Sequence, residues 1–260
     1  EITQLPHLYR VFFQSQIYVV VAFFILLWMI AYFLKNRVIF HRPAFTLLLF
    51  VGTIASLALS FSRSFWLATG CMFAVFAVSI FLHIRRDPLF VFRMSAVVFG
   101  GAVMSFVLLF VISAIPFPSR EQVFSVDLLS ERLEDIASEA AAASRWSLLP
   151  IMISEIQGNP FFGYGFGKTL TYTSSDPRIL LQNESGKYTT YAFEWGYFDL
   201  LLKLGLIGLV AYLLLLAAIF VKGASALRRC LEKGMSRDAV LIRGLLYGLS
   251  ALLIVHFFTP

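Results

Sequence analysis

The chain has 260 residues, 59% of them hydrophobic and only 14% charged, with a formal net charge of +6 and a mean hydropathy of +0.82. So little charge excludes an ordinary soluble domain. Lipid offers backbone groups no outside partner, so the apolar mass must be organised as helices, and the fold class is an all-α polytopic integral membrane protein.

Residues 1–16 are mixed and too short to cross a bilayer. Apolar runs of spanning length follow at 17–34, 44–61, 65–84 and 89–115, the fourth entered near Met94 because Arg93 is costly deep in lipid. A fifth run, 191–221, is longer than a bilayer needs, and 245–258 closes the chain as a sixth, entered from Val240. The organisation expected is four spans in 1–115, a long loop in 116–190 and two spans in 191–260. The chain opens at Glu1 and stops at Pro260 directly after an apolar run. It reads as an excerpt of a longer protein with an incomplete N-terminal part.

The long loop has its own helical signals. Over 127–143, Leu128, Leu129, Leu133 and Ile136 alternate with Glu131, Arg132, Glu134, Asp135 and Glu139, an amphipathic helix. Its acidity disfavours an anionic leaflet, so packing onto the spans is expected. After Arg145, Trp146, Leu149, Ile153 and Ile156 recur at helical spacing and predict one apolar face. Gly158 is placed to stop that helix and Pro160 to forbid its continuation. Residues 161–167 hold four aromatics and three glycines, a turn-rich loop whose backbone can approach another surface closely. Residues 170–188 read as polar loop.

Charge sets orientation. The loops at 35–43, 85–93 and 222–243 hold three, three and six Lys/Arg, whereas 62–64 holds one and 116–190 holds six against nine acidic residues. Alternate short loops are therefore cytoplasmic, and Arg63 and the long loop share the opposite face. The basic excess is used up by topology, which leaves no nucleic-acid signal. Cys71 and Cys230 are too few for a disulfide scaffold, and His7, His41, His83 and His256 show no metal-ligand spacing. Gly165-Phe166-Gly167-Lys168-Thr169 ends like a phosphate-binding loop, but the leading glycine of that motif falls on Phe162 and no strand is expected before it.

The ionisable residues near the spans carry the chemistry. Arg63, in a turn between spans, reads either as a snorkelling interfacial arginine or as a guanidinium fork that grips phosphate oxygens. Arg145 has the same two readings. Asp199 and Lys203 stand four apart and are expected to pair on one helix face. Glu194 is either a first-turn carboxylate favoured by the helix dipole or a general base. Tyr164, Tyr191 and Trp195 offer flat apolar faces to sugar rings, or serve as interface aromatics.

Three segments resemble the O-antigen ligase and polymerase family of bacterial envelope glycosyltransferases. They are Ser62-Arg63-Ser64, then Ser144-Arg145-Trp146 with Asn159-Pro160-Phe161-Phe162-Gly163-Tyr164-Gly165-Phe166-Gly167, and Leu204-Gly205-Leu206-Ile207-Gly208-Leu209. The resemblance covers roughly residues 44–221. It implies an undecaprenyl-diphosphate-linked glycan donor, a glycan or glycolipid acceptor, and transfer at the outer face of the bacterial inner membrane. It also implies that Arg63 and Arg145 bind the diphosphate. The family's histidine, eleven residues before the first glycine of the last motif, is replaced here by Glu194, which inherits the place of the base. A diphosphate leaves as a stable anion, so fixed guanidinium groups suffice to stabilise the developing charge, and neither metal nor cofactor is expected. Two other readings come from the same residues. Glu194, Asp199 and Lys203 would suit a transporter, though no internal repeat accompanies them; a membrane scaffold without an active site is the third.

Overall fold

The computed structural model describes residues 2–5, 8–11, 15–36, 42–84, 87–114, 139–174, 179, 183, 185–193 and 195–258. Its helices are α1 (Gln16–Asn36), α2 (Pro43–Leu59), α3 (Arg63–Ile84), α4 (Pro88–Ala114), α5 (Glu139–Gly158), α6 (Gly196–Glu232) and α7 (Ser236–Phe258). Strands β1 (Ile2–Leu5) and β2 (Leu8–Val11) form one antiparallel hairpin, and β3 (Leu170–Thr173) and β4 (Lys187–Thr190) another. Among the described residues five helices are long and apolar enough to cross a membrane, and α2 is a shorter apolar helix. This is the all-α polytopic membrane architecture that hydropathy demands. Of the helix expected over 127–143, residues 127–138 lie outside the described residues, as do the loop arginines Arg37, Arg85 and Arg86, and residues 139–143 form the start of α5.

The chain divides into two compact units: residues 1–130 with 222–254, and 131–221 with 255–260. In the first unit, small and polar groups let helices approach closely, the packing mode that lipid favours. Gln16 Nε2 donates to the Ser56 carbonyl at 2.8 Å, and Ser105 Oγ donates to Val51 O at 2.9 Å, tying α1 to α2 and α4 to α2. Gly244 and Gly248, one turn apart on α7, lie against the α1 backbone. A β-carbon there would stand 2.5 Å from Ile25 Cα or 2.8 Å from Val21 Cα. Trp28 meets Phe76 and Tyr247 edge-on at 5.1 and 5.4 Å, with the Arg243 guanidinium 5.1 Å over its ring. Ser79 and Tyr247 share a 2.8 Å hydrogen bond between α3 and α7.

Several expected boundaries are corrected. The run expected at 191–221 begins as helix only at Gly196 and continues to Glu232. The basic stretch 222–243, expected as a loop, is helical except at 233–235. Charge ends a bilayer crossing but not a helix, because Lys, Arg, Glu and Leu are good helix formers, and Arg228 supports the extension by pairing with Glu232 at 2.9 Å. The expected polar loop at 170–188 contains the hairpin strand β3, and β4 begins at Lys187. Its Thr- and Tyr-rich segments suit a pleated surface. Thr171 and Thr189 hydroxyls bond across it at 2.7 Å, and Tyr172 meets Tyr188 edge-on.

Gly244→Leu is expected to force α7 away from α1 and to cost about 1–3 kcal/mol, the usual range for overpacking a close contact. Thermal unfolding of the purified protein in detergent checks this. A melting temperature equal to that of the parent would show that the helices do not meet there.

Candidate functional site

In the first unit, Arg63 is the first residue of α3. The chain reaches it through a tight serine turn. Ser60 Oγ donates to Leu57 O at 2.7 Å and accepts from the Ser62 amide at 3.3 Å, and the Ser62 and Ser64 hydroxyls lie 3.1 Å apart. Phe61 has φ +45°, a strained value for a bulky residue. It is held there by burial against Ala55 and Leu109 and by Trp66, whose indole N–H donates to Leu57 O at 2.8 Å. The turn presents a half-buried Arg63 at a helix N-terminus, where the helix dipole adds to the guanidinium's attraction for an anion.

In the second unit, the site is built on a break in a span. At Gly205 the backbone takes φ +66°, ψ −175°, so α6 is two helical segments joined there. An unbroken helix would pair the Leu206 and Ile207 amides with the Leu202 and Lys203 carbonyls. Instead Leu206 N–H donates to Pro160 O at 2.8 Å and Ile207 N–H to Phe161 O at 3.2 Å. The freed Leu202 and Lys203 carbonyls accept from the Tyr164 and Gly165 amides at 2.9 and 2.8 Å. The loop after α5 thus satisfies four of the backbone groups that the break exposes, which lipid alone would leave unpaired.

Glycine permits this docking twice. A β-carbon on Gly205 would strike the Phe161 carbonyl, and one on Gly163 (φ +68°) would stand 2.6 Å from Gly205 N. Asn159 closes the loop on itself, accepting from the Gly163 amide at 3.2 Å and donating through Nδ2 to Gly163 O at 2.6 Å. Lys168, dismissed above as a phosphate-loop lysine, lies 4.2 Å over the Tyr164 ring and 2.6 Å from Glu155 Oε2.

The α5 helix ends at Gly158 as predicted, but begins at Glu139 rather than near Arg145. Its buried face is also not the one expected. Leu148 and Met152 enter a core with Leu170, Phe193, Trp195 and Leu202; Leu149 and Ile156 pack at its edge, and Trp146 and Ile153 are exposed. The helix carries apolar residues on several sides, so periodicity alone could not select the face that Leu170, Phe193 and Trp195 cover.

Asp199 and Lys203 do pair. Lys203 Nζ is 2.7 Å from Asp199 Oδ1 and 3.0 Å from Oδ2, both residues are buried, and the Phe193 ring lies 5.3 Å from the ammonium. His256 stands between Tyr197 and Tyr212, at 4.9 and 5.9 Å from their rings.

The other candidate residues are distributed as follows. Arg145 lies on α5 one residue before Trp146, and its described part is the helical backbone. Glu194 lies outside the described residues. Trp195 is 7% exposed and meets Trp146, Phe198 and Phe257 edge-on. Tyr191 is exposed, and Tyr164 sits in the docked loop. Asn159, Gly163 and Gly205 were not singled out individually as site residues by the sequence. Their signal was the presence of glycine-rich stretches in two distant segments, without anything to say that the two meet.

The family model described as O-antigen ligase matches residues 47–213 of the chain. No curated protein and no solved structure matches it significantly.

Gly205→Ala places a β-carbon against a carbonyl and a side chain in a conformation reserved for glycine, which costs on the order of 1–3 kcal/mol from backbone strain alone. The loop should lift, and hydrogen exchange at the Tyr164 and Gly165 amides should accelerate. Gly167→Ala, with open space around it, is the control and should leave those amides protected. Slow exchange retained in Gly205→Ala would refute the docking.

Proposed function

Because the chain belongs to the O-antigen ligase family, we propose that this membrane glycosyltransferase moves a glycan en bloc from an undecaprenyl-diphosphate carrier to an acceptor hydroxyl, at the outer face of a bacterial inner membrane. The observation that supports this reading most is the docked loop. Two of the motifs that carry the family resemblance, Asn159–Gly167 and the Leu204-Gly205-Leu206-Ile207-Gly208 segment, interlock through two backbone hydrogen bonds, and two more tie the first motif to Leu202 and Lys203 just before the second. The motifs therefore have a common physical purpose: they hold the end of α5, the helix that carries Arg145, against a break in a span.

In the proposed reaction the acceptor oxygen attacks the anomeric carbon of the donor. The bond from that carbon to the diphosphate breaks, and the acceptor's proton passes to Glu194. Arg63 and Arg145 are assigned to the diphosphate, where guanidinium forks match phosphate oxygens and offset the charge that develops on the leaving group. Tyr191 and Tyr164 are assigned to sugar contacts; Trp195, also a sugar-contact candidate from the sequence, is buried in the core instead. Against the transporter reading, two of its three residues, Asp199 and Lys203, are engaged with each other in a buried pair.

Arg63→Ala and Arg145→Ala should each lower glycan transfer on the order of 10²–10³-fold, the usual loss when one stabiliser of transition-state charge is removed. The readout is lipid-linked glycan accumulating in cells that still contain normal amounts of the membrane-inserted variant. Glu194→Gln should cost roughly 10²–10⁴-fold, as for loss of a general base. Wild-type consumption of the lipid-linked glycan by Arg145→Ala cells would overturn the assignment.

The double variant Asp199→Asn, Lys203→Met removes both charges of the buried pair together. Transfer should persist in it, measured by the same accumulation assay. Loss of transfer despite normal insertion would bring the pair into the mechanism.

A further inference from the structure

The outward surface of the docked loop is aromatic. Phe161, Phe162 and Phe166 are 58%, 74% and 67% exposed. Scattered exposed apolar side chains are ordinary, but three large rings within one short loop form a patch that marks contact with something apolar. Lys168, at the end of the loop, is paired with Glu155, so the patch carries no uncompensated charge from that side chain.

The level of the patch along the span is set by backbone bonds. Pro160 and Phe161 carbonyls accept from the Leu206 and Ile207 amides, which fixes the loop beside residues 205–207. The level of those residues in the bilayer follows from charge. Between Lys203 and Lys222 the stretch 204–221 contains no ionisable acid or base other than Tyr212. At 1.5 Å per residue it is about 27 Å long, close to the ~30 Å hydrocarbon core of a bilayer. Counted back from the exposed Lys222, a crossing of that length ends at Gly205, which places the break at a lipid–water boundary. Beyond it Leu206, Ile207, Val210 and Leu214 of the same span are exposed apolar side chains, which in a membrane face acyl chains.

From the continuity of the loop with this lipid-facing stretch, we propose that Phe161, Phe162 and Phe166 are seated among the lipids of one leaflet. The loop after α5 is then a membrane-set lip, and its occupant is bilayer lipid rather than glycan. Aromatic rings are enriched at that level of membrane proteins. The seat would hold the C-terminal end of α5 at the depth where a lipid-borne substrate presents its head. That consequence rests on the proposed function; the seating itself rests only on α6 crossing the membrane.

The test uses the full chain in phosphatidylcholine vesicles, with Cys71→Ala and Cys230→Ser as background. A nitroxide is attached at Phe162→Cys, at Phe166→Cys and, as the aqueous reference, at Tyr188→Cys on β4. Collision with oxygen should exceed collision with a water-soluble nickel chelate at 162 and 166, and the order should reverse at 188. Nickel accessibility at 162 and 166 equal to that at 188 would overturn the proposal. Should the cysteine variants fail to reconstitute, p-benzoylphenylalanine at position 166 keeps a ring in place and decides the matter by photocrosslinking. Capture of phospholipid supports the lip; capture of glycan or solvent alone, without lipid, refutes it. Either result leaves the assignment of Arg145 standing or falling on its own transfer assay.

Discussion

The amides of Leu206 and Ile207 belong, in an unbroken helix, to the carbonyls of Leu202 and Lys203. Gly205 turns the two halves of α6 apart, and the loop from Pro160 to Gly165 enters the gap, replacing two intrahelical bonds with four bonds to its own backbone. An unpaired backbone group costs far more in lipid than in water, so neither partner is stable in this form without the other. A span of this shape requires the loop, and the loop acquires a fixed place because the span requires it. The small residues around it follow from that exchange: Gly163 and Gly205 are small because the chains touch, and Asn159 bonds its own loop to hold the approach.

The surrounding contacts explain how the exchange is kept rigid. Leu202, whose carbonyl receives Tyr164, also fills the core with Leu148 and Met152 of α5 and Leu170 of β3. One turn away, the Asp199–Lys203 pair is buried under the Phe193 ring. A buried ion pair is weak evidence for stability, since desolvation offsets its Coulomb attraction. Both charges sit on the same helical segment four residues apart, so the pair braces that turn of α6 and travels with it. Trp195, edge-on to Trp146 and Phe257, ties the entrance of α6 to α5 and to the end of α7.

The first unit works on a different principle. Its helices meet through small residues and mid-span polar bonds, from Gly244 against Ile25 to Ser105 on Val51. Such contacts stand in for the hydrophobic effect, which is nearly absent between helices in lipid. The serine turn before α3 spends this packing on one strained residue, Phe61, and delivers Arg63 at a helix start. The guanidinium therefore stands at the positive end of the helix dipole, on a turn that packing holds in place.

Hydropathy, the flanking charges and single stop residues were enough to read six apolar helices, the end of α5 at Gly158 and the pairing of Asp199 with Lys203. Each of these depends on neighbours a few residues away, where composition and helical spacing already state the energetics. The face that α5 buries, the helical course of 222–232, the hairpin of β3 and β4 and the docking at Gly205 were decided by tertiary structure. Those features depend on which distant surface arrives. Backbone-to-backbone bonds between segments some forty residues apart use no side-chain chemistry, so in the sequence they leave only glycines, with no sign of the partner they make room for.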